Sequence, residues 1–367
     1  MNFNQKHFKV HFITPAFLGN AERKGQWRVP PFKALIRRWW RILVAKDLNY
    51  EWEKIRRKEG VIFGHSWLKD RTNKPWAMKS IFKIKIDNWK KGTNFKESLI
   101  SKPISKIRHT ELSFQIDPLL YLGYGPINYH RSFQRIQNFP PSIKEEDEMK
   151  ISMYGELTEI IKVIPLLHIF GTIGGRARNG WGSIEIIKDN NGEIDIPKIE
   201  NFINFKEIRD QYLNECSRQW NKCLEKDWPH AIGKDEKGFL IWRTREFYSN
   251  WYEVMKELAE IKIKFRTQFS FSGSIPHSRL FERHLIAYPV TNHEYNPWGR
   301  QARYPNQLMF KIHRSDNGKF LGIAFHIPHT LPNELSKNVD LSSLKSMEIN
   351  TWRKVHHILD ENMVRLP

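Results

Sequence analysis

The chain has 367 residues, long enough for two or three domains, and 40% of them are apolar, enough to bury a core. Lys and Arg number 60 against 40 Asp and Glu, a formal net charge of +20. That excess points to a polyanionic partner, and no apolar run is long enough to span a membrane.

The opening residues, MNFNQKHFKVHFITP, lack the apolar core of a signal peptide, so a cytoplasmic location is expected. Residues 7–13, HFKVHFI, alternate: Phe8, Val10 and Phe12 would face a core and His7, Lys9 and His11 the other side, predicting a first strand. A basic loop, GNAERKGQWRVP, follows. PFKALIRRWWRILVAKD then predicts a helix with Pro31 in its first turn. Phe32, Leu35, Ile36, Trp39 and Leu43 form its apolar stripe. Lys33, Arg37 and Arg41, four apart, form a basic stripe. No acidic residue occurs between positions 23 and 46, so these like charges should repel unless an anion sits among them.

IFKIKI at 81–86 predicts a strand, and the acidic KEEDEMK around 145–148 a solvated loop tip. KISMY at 150–154 predicts a strand before Gly155, and ELTEIIKVIPLLHIF a helix kinked at Pro165. Gly171 is placed to end that helix in the left-handed conformation. Next come GTIGGRARNGWG at 171–182 and a strand, WGSIEIIK. This order suits a four-stranded sheet with two helices on one face, a ferredoxin-like (RRM-like) α+β domain over 1–195. DNNGEIDIPKIEN at 189–201 reads as a linker. Residues 204–262 read as mostly helical, with a turn around 229–238. IKFRTQFSF, RHLIAYPV, NQLMFKIH and FLGIAFHI then read as strands, predicting a second α+β domain over 196–367 with a helical insertion. Cys216 and Cys223, seven apart in this helical stretch, lack metal or redox spacing and read as reduced thiols. The 15 histidines show no metal-ligand spacing, so neither metal nor cofactor is expected.

The loop at 171–182 is not a nucleotide cradle. Gly175 is followed by RARN, Gly180 and Trp181, with no Lys-Ser pair, and it leads from helix to strand, the reverse of a phosphate-binding P-loop. A grip on a phosphate backbone fits better. Gly174, Gly175, Gly180 and Gly182 would let the main chain approach a phosphate, and Arg176 and Arg178 would add fork-shaped donors. Lys24, Arg28, Lys33, Arg37, Arg38 and Arg41 would form a basic wall. Trp181 serves equally as a base-stacking platform or a core anchor; Trp39 reads as core and Trp40 as the better stacking candidate. Arg300 and Arg303 would extend an RNA path or meet a protein neighbour.

GTIGGRARNGWGSIEI resembles the glycine-rich loop of the RAMP superfamily, the repeat-associated proteins of CRISPR systems. TPAFLGNAERKGQWRVPPFKALIRRWWR resembles the N-terminal signature of one RAMP family, the first subunit of the type III-B (Cmr) effector complex. Thr14, Pro15, Phe17, Gly19, Arg28, Pro30, Lys33, Arg37, Trp39, Trp40 and Arg41 match it. Pro31, Ala34 and Arg38 depart from it. FERHLIAYPV and RQARYPNQLMFKI resemble the family's C-terminal half more loosely, and residues 190–265 carry no resemblance. The resemblance implies two ferredoxin-like domains and a non-catalytic subunit. Such a subunit caps the complex near the 3′ end of the guide RNA, beside another RAMP subunit, and helps hold guide and target RNA. Two readings compete: a metal-independent repeat-processing endoribonuclease, for which His7, His11, His130 and Tyr129 are available, and the equivalent subunit of another type III system.

Overall fold

The computed structural model describes residues 5–22, 24–70, 72–92, 102, 104–130, 135–138, 142–188, 194–198, 200, 205–337 and 339–367. Over them the fold is mixed α+β with several antiparallel sheets. The chain forms two compact units. Unit 1 comprises Met1–Lys102, Gly123–Cys216 and Lys311–Gly318; unit 2 comprises Pro103–Leu122, Ser217–Phe310 and Lys319–Pro367. The units interleave along the chain, so no single cut near residue 195 separates them. Most of the expected linker at 189–201 lies outside the described residues.

In unit 1 the alternating N-terminal run forms β1 (Gln5–Phe12), with Phe8, Val10 and Phe12 buried as the period-two pattern predicts. The basic helix is α1 (Val29–Ala45), with proline in its first turn. A second helix, α2 (Trp52–Phe63), follows. Further elements include β2 (Phe82–Ile86), β3 (Glu148–Gly155), α3 (Thr158–Phe170) and β4 (Ile184–Lys188), besides two short hairpins. The strands form one sheet in the order β4-β1-β3-β2, every neighbouring pair antiparallel. Phe8 lies opposite Ile151 and Val10 opposite Met149, so apolar residues share one face. Trp39 of α1 stacks on Phe170 of α3, ring centroids 5.1 Å apart.

The helix α3 runs through Pro165 to Phe170, the end expected from the sequence, and one expectation changes at its exit. Gly171 is extended, at φ −68° and ψ 121°, not left-handed; glycine is needed because a Cβ there would strike the Leu167 carbonyl. The acidic run is a turn, as expected, with Glu146 and Glu148 exposed, and its carboxylates also form ion pairs. Glu145 pairs with Lys102, Glu146 with Arg314, Asp147 with Lys90 and Glu148 with Lys9.

Unit 2 departs further from the sequence reading. Residues 217–250 are not a helical insertion. They contain β5 (Ser217–Gln219), β6 (Ile232–Asp235), β7 (Gly238–Phe239) and β8 (Ile241–Arg243). Asp235 accepts the Lys237 N–H at 2.9 Å and Gly238 takes φ +119°, which closes the β6–β7 turn. Buried Ile232, Phe239, Ile241 and Trp242 have the spacing of short strands, which the charged residues between them disguised. Cys216 and Cys223 therefore do not lie on one helix. IKFRTQFSF is no strand: α4 (Trp251–Thr267) runs through it, started by Asn250 accepting the Glu253 N–H at 3.0 Å. RHLIA is likewise mainly helical, α5 (Glu282–Ile286). The last two expected strands exist, β9 (Leu308–Arg314) and β10 (Phe320–His326). A 22-residue helix, α6 (Leu341–Asn362), closes the unit.

Candidate nucleic-acid interface

The two motifs singled out by sequence lie hydrogen-bonded side by side. Gly175 donates its N–H to the Phe17 carbonyl at 2.9 Å, and Gly182 to the Pro15 carbonyl at 2.8 Å. The Gly180 carbonyl accepts the hydroxyls of Thr14 and Ser183, each at 2.8 Å, and Ser183 N–H donates back to Thr14 Oγ1 at 2.9 Å. Segment 14–19 is thus the floor on which loop 171–182 is built. Gly174 is at φ +97°, and a Cβ there would come within 2.8 Å of the Phe17 carbonyl. Gly182, at φ +63°, has the Ile173 carbonyl where a Cβ would be. Both positions exclude side chains for local packing reasons, whatever the loop binds.

At the loop tip Arg176 takes φ +57°, and Asn179 N–H closes a turn onto its carbonyl at 2.8 Å. The N–H groups of Arg176, Ala177 and Arg178 have no acceptor among the described residues. Successive free amides beside a left-handed residue form an anion-binding concavity. Arg176 Nε is held by the Tyr124 carbonyl at 2.5 Å. Arg178 has no ion pair or hydrogen bond among the described residues. Burial pulls both guanidinium groups below their usual value.

Arg38 of α1 is the site's other member. Burial, and after it the charge of Arg178, lower its pKa to about 9. The fold has therefore brought a loop arginine and a helix arginine close enough to repel. An anion between them would relieve both the repulsion and the desolvation. Arg28, half-buried at the start of α1, keeps its Nε without a partner among the described residues.

Of the rest of the expected basic wall, Arg37, Arg41 and Lys33 are engaged inside the protein. Arg37 and Arg41 both grip Glu59 of α2, whose side chain is 2% exposed; Arg41 Nη2 lies 2.8 Å from it. Here is the anion that the charge run required, supplied from outside it. Lys33 donates to the Phe63 carbonyl at 3.2 Å and Ser80 Oγ at 2.9 Å; burial, then Arg37, lower its pKa. Lys24 forms a surface pair with Glu22 at 2.9 Å. Neither candidate stacking ring is available. Trp40 is fully buried and donates its indole N–H to Glu159 at 2.9 Å. Trp181 is fully buried against Phe17, ring centroids 5.0 Å apart. Both rings are taken up by contacts inside the protein, Trp40 also against Phe63.

Residues 9–185 match the family model described as "RAMPs: RAMP superfamily". This part of the chain belongs to the RAMP superfamily. The matched span contains both the 14–19 floor and the glycine-rich loop. No curated protein matches the chain. Among solved structures it is similar to the crystal structure of Cmr1 from Pyrococcus furiosus in its apo form, with 14% identity over 95% of this chain and 97% of that one and a TM-score of 0.43. It is also similar to a chain in the cryo-EM structure of the type III-B Cmr-beta complex bound to cognate target RNA, with 12% identity over 97% and 100% and a TM-score of 0.49.

Two of the candidate histidines are held by polar partners. His11 is buried between Glu146 at 3.1 Å and Glu185 at 3.3 Å, with Arg314 Nη2 at 3.2 Å from its Nδ1. His7 lies 2.9 Å from Ser152 Oγ. The side chains of Tyr129 and His130 are outside the described residues. In unit 2 Arg300 pairs with Glu294 at 2.9 Å, and Arg303 donates to the carbonyls of Arg300 and Ala302. Among the described residues no group of three or more His, Cys, Asp and Glu could hold a metal ion, and no helix is long and apolar enough to cross a membrane. Sequence reasoning missed Glu59 and Ser183. Ser183 follows the Trp-Gly pair directly and was open to reading as a loop-pinning hydroxyl; Glu59 gave no local signal.

Proposed function

We propose that the chain is a non-catalytic RNA-binding subunit of a type III-B CRISPR effector complex, working in the cytoplasm. It holds guide and target RNA through sequence-independent backbone contacts while base pairing supplies the specificity. The RAMP match over 9–185 and the signature at 14–41 support the assignment to an effector complex. By that same signature, the chain caps the end near the guide 3′ end, beside another RAMP subunit. We read the four-stranded sheet of unit 1, with α1 after β1 and α3 after β3, as one ferredoxin-like domain and unit 2 as the second.

One observation carries the binding reading: three amides at Arg176–Arg178, open among the described residues, lie beside Arg178, which has no ion pair among them and repels Arg38. That arrangement is unfavourable empty and favourable around a phosphate. The test is titration of the full chain against labelled single-stranded RNA of guide length at several salt concentrations, wild type beside Arg176→Ala/Arg178→Ala. Each phosphate contact to single-stranded nucleic acid adds about 0.7 to the slope of log affinity against log salt, so the double variant should bind more weakly with a slope smaller by about 1.4. Equal affinities and slopes would sink the loop as a phosphate grip. Cleavage of the RNA in EDTA would overturn the non-catalytic reading in favour of the repeat-processing nuclease.

A further inference from the structure

With Trp40 and Trp181 buried, the RNA-binding reading lacks a surface for bases. Trp89 supplies one. It is 54% exposed, the exposed tryptophan among the described side chains, and its ring has no aromatic or hydrogen-bond partner among them. Single exposed rings are ordinary on protein surfaces; what singles this one out is its place on the same run of paired backbone as the glycine-rich loop.

Its place is tied to the glycine-rich loop by an unbroken series of backbone pairings. Gly175 pairs with Phe17. The next residue along, Leu18, accepts the Gln26 N–H at 2.9 Å, and Gly19 pairs with Gly25. Gln26 pairs with Lys91, Trp27 N–H donates to the Lys90 carbonyl at 2.9 Å, and Gly92 N–H donates to the Gly25 carbonyl at 2.7 Å. Gln26 Nε2 holds the Trp89 carbonyl itself, at 3.3 Å. Three strand-like steps of about 4.8 Å put the 89–92 segment some ~14 Å from the loop. A phosphate at the loop and a base at Trp89 would therefore belong to different nucleotides of one strand. The intervening segment carries Lys24, paired at the surface with Glu22, and Arg28, and Lys91, two residues beyond Trp89, is exposed.

We propose that Trp89 is a base-stacking residue for single-stranded RNA. It receives an unpaired base while the Arg176–Arg178 loop and the cations of 24–28 and 91 hold the backbone. A flat ring accepts any base, which suits a protein that reads no sequence. The inference rests on the RNA-binding reading above, and its test separates the two. Trp89→Ala, Trp89→Phe and Arg176→Ala/Arg178→Ala are titrated with the same RNA at several salt concentrations. Thermal melts verify that each variant folds, as an exposed ring allows. Trp89→Ala should weaken binding about 5- to 150-fold with an unchanged salt slope, because a ring releases no counterions; Trp89→Phe should keep most of the affinity. RNA carrying 5-iodouridine should crosslink to the peptide containing Trp89. If Trp89→Ala binds like wild type while the arginine variant is weakened, the stacking role is overturned, the ring serves a protein contact, and the RNA reading stands. If wild type binds no RNA, both fall together.

Discussion

Glu59 and Glu348 are both 2% or less exposed, yet their surroundings give them opposite effects on stability. Burial pushes Glu59 up, but the hydrogen bonds and charges of Arg41 and Arg37 outweigh it and hold the carboxyl below its usual range. Its contribution is present above the unfolded value near pH 4.3 and is lost as pH falls further. Glu348 has no such cations. It accepts the Thr330 hydroxyl at 2.9 Å and the Leu331 N–H at 3.2 Å, and burial raises it to about 7. The protonated form is the one the fold prefers, so its contribution is complete below about pH 4 and is lost as pH rises through 7. Glu348→Gln should therefore be more stable than wild type at pH 8, by at most ~3 kcal/mol, with the difference gone below pH 4. Urea midpoints across pH would read this; a constant difference at all pH would contradict it. None of this was visible in the spacing of the residues. Glu59 lies 18 residues from Arg41 and 22 from Arg37, and only the packing of α2 on α1 makes them partners.

At the level of elements, the exit of α3 into the glycine-rich loop is held from far along the chain. A helix leaves its last carbonyls without donors. Here Lys311 donates to the carbonyls of Leu167, at 3.1 Å, and His168, and His313 Nε2 lies 2.8 Å from the Ile169 carbonyl. Ile312 N–H adds a bond to Ser183 Oγ at 3.0 Å, and Ser183 in turn pins Gly180. One short stretch of β9 thus fixes both ends of the loop. Lys311 is fully buried, and burial drives its pKa well below the usual lysine value. Lys311→Met should cost about 2–4 kcal/mol, because the His168 carbonyl loses its donor and the Leu167 carbonyl keeps only the Gly171 N–H. It should also speed amide exchange across 171–182 and weaken RNA binding without changing the salt slope. Hydrogen exchange by mass spectrometry would show the loop response; unchanged protection there would mean that Lys311 serves only the core. Periodicity correctly located β1, α1, α3 and β4, since each has an apolar face of the right period. It failed over 217–250, where strands of two to four residues are too short to display a period, and at 263–267, where alternating Ile and Phe were already buried inside α4.

Across the whole molecule, the net charge of +20 survives only partly as binding surface, because several of the cations nearest the site are engaged by acids and carbonyls. The two cysteines report on the two units separately: Cys216 belongs to unit 1 and Cys223 to unit 2. Both are free and buried, and burial raises each thiol to about 12. Neither should react with a disulfide reagent at pH 8 in the native protein, and both should react once urea unfolds the chain. Cys216→Ser and Cys223→Ser would assign each labelling phase to its unit, and rapid labelling of either thiol without denaturant would show that unit to be open. The sequence by itself determined the local facts: where a strand must alternate, where proline starts a helix, where glycine is required, and that a polyanion is the natural partner. Those follow from backbone sterics, side-chain period and charge count, which act within a few residues. Which arginines remain for that partner was decided only by tertiary structure. Glu59, Glu159 and the Phe63 carbonyl reach their basic and indole partners from other elements, and burying such groups is tolerable only when they are paired. The cation and the ring without side-chain partners among the described residues, Arg178 and Trp89, are therefore defined by how the others pack.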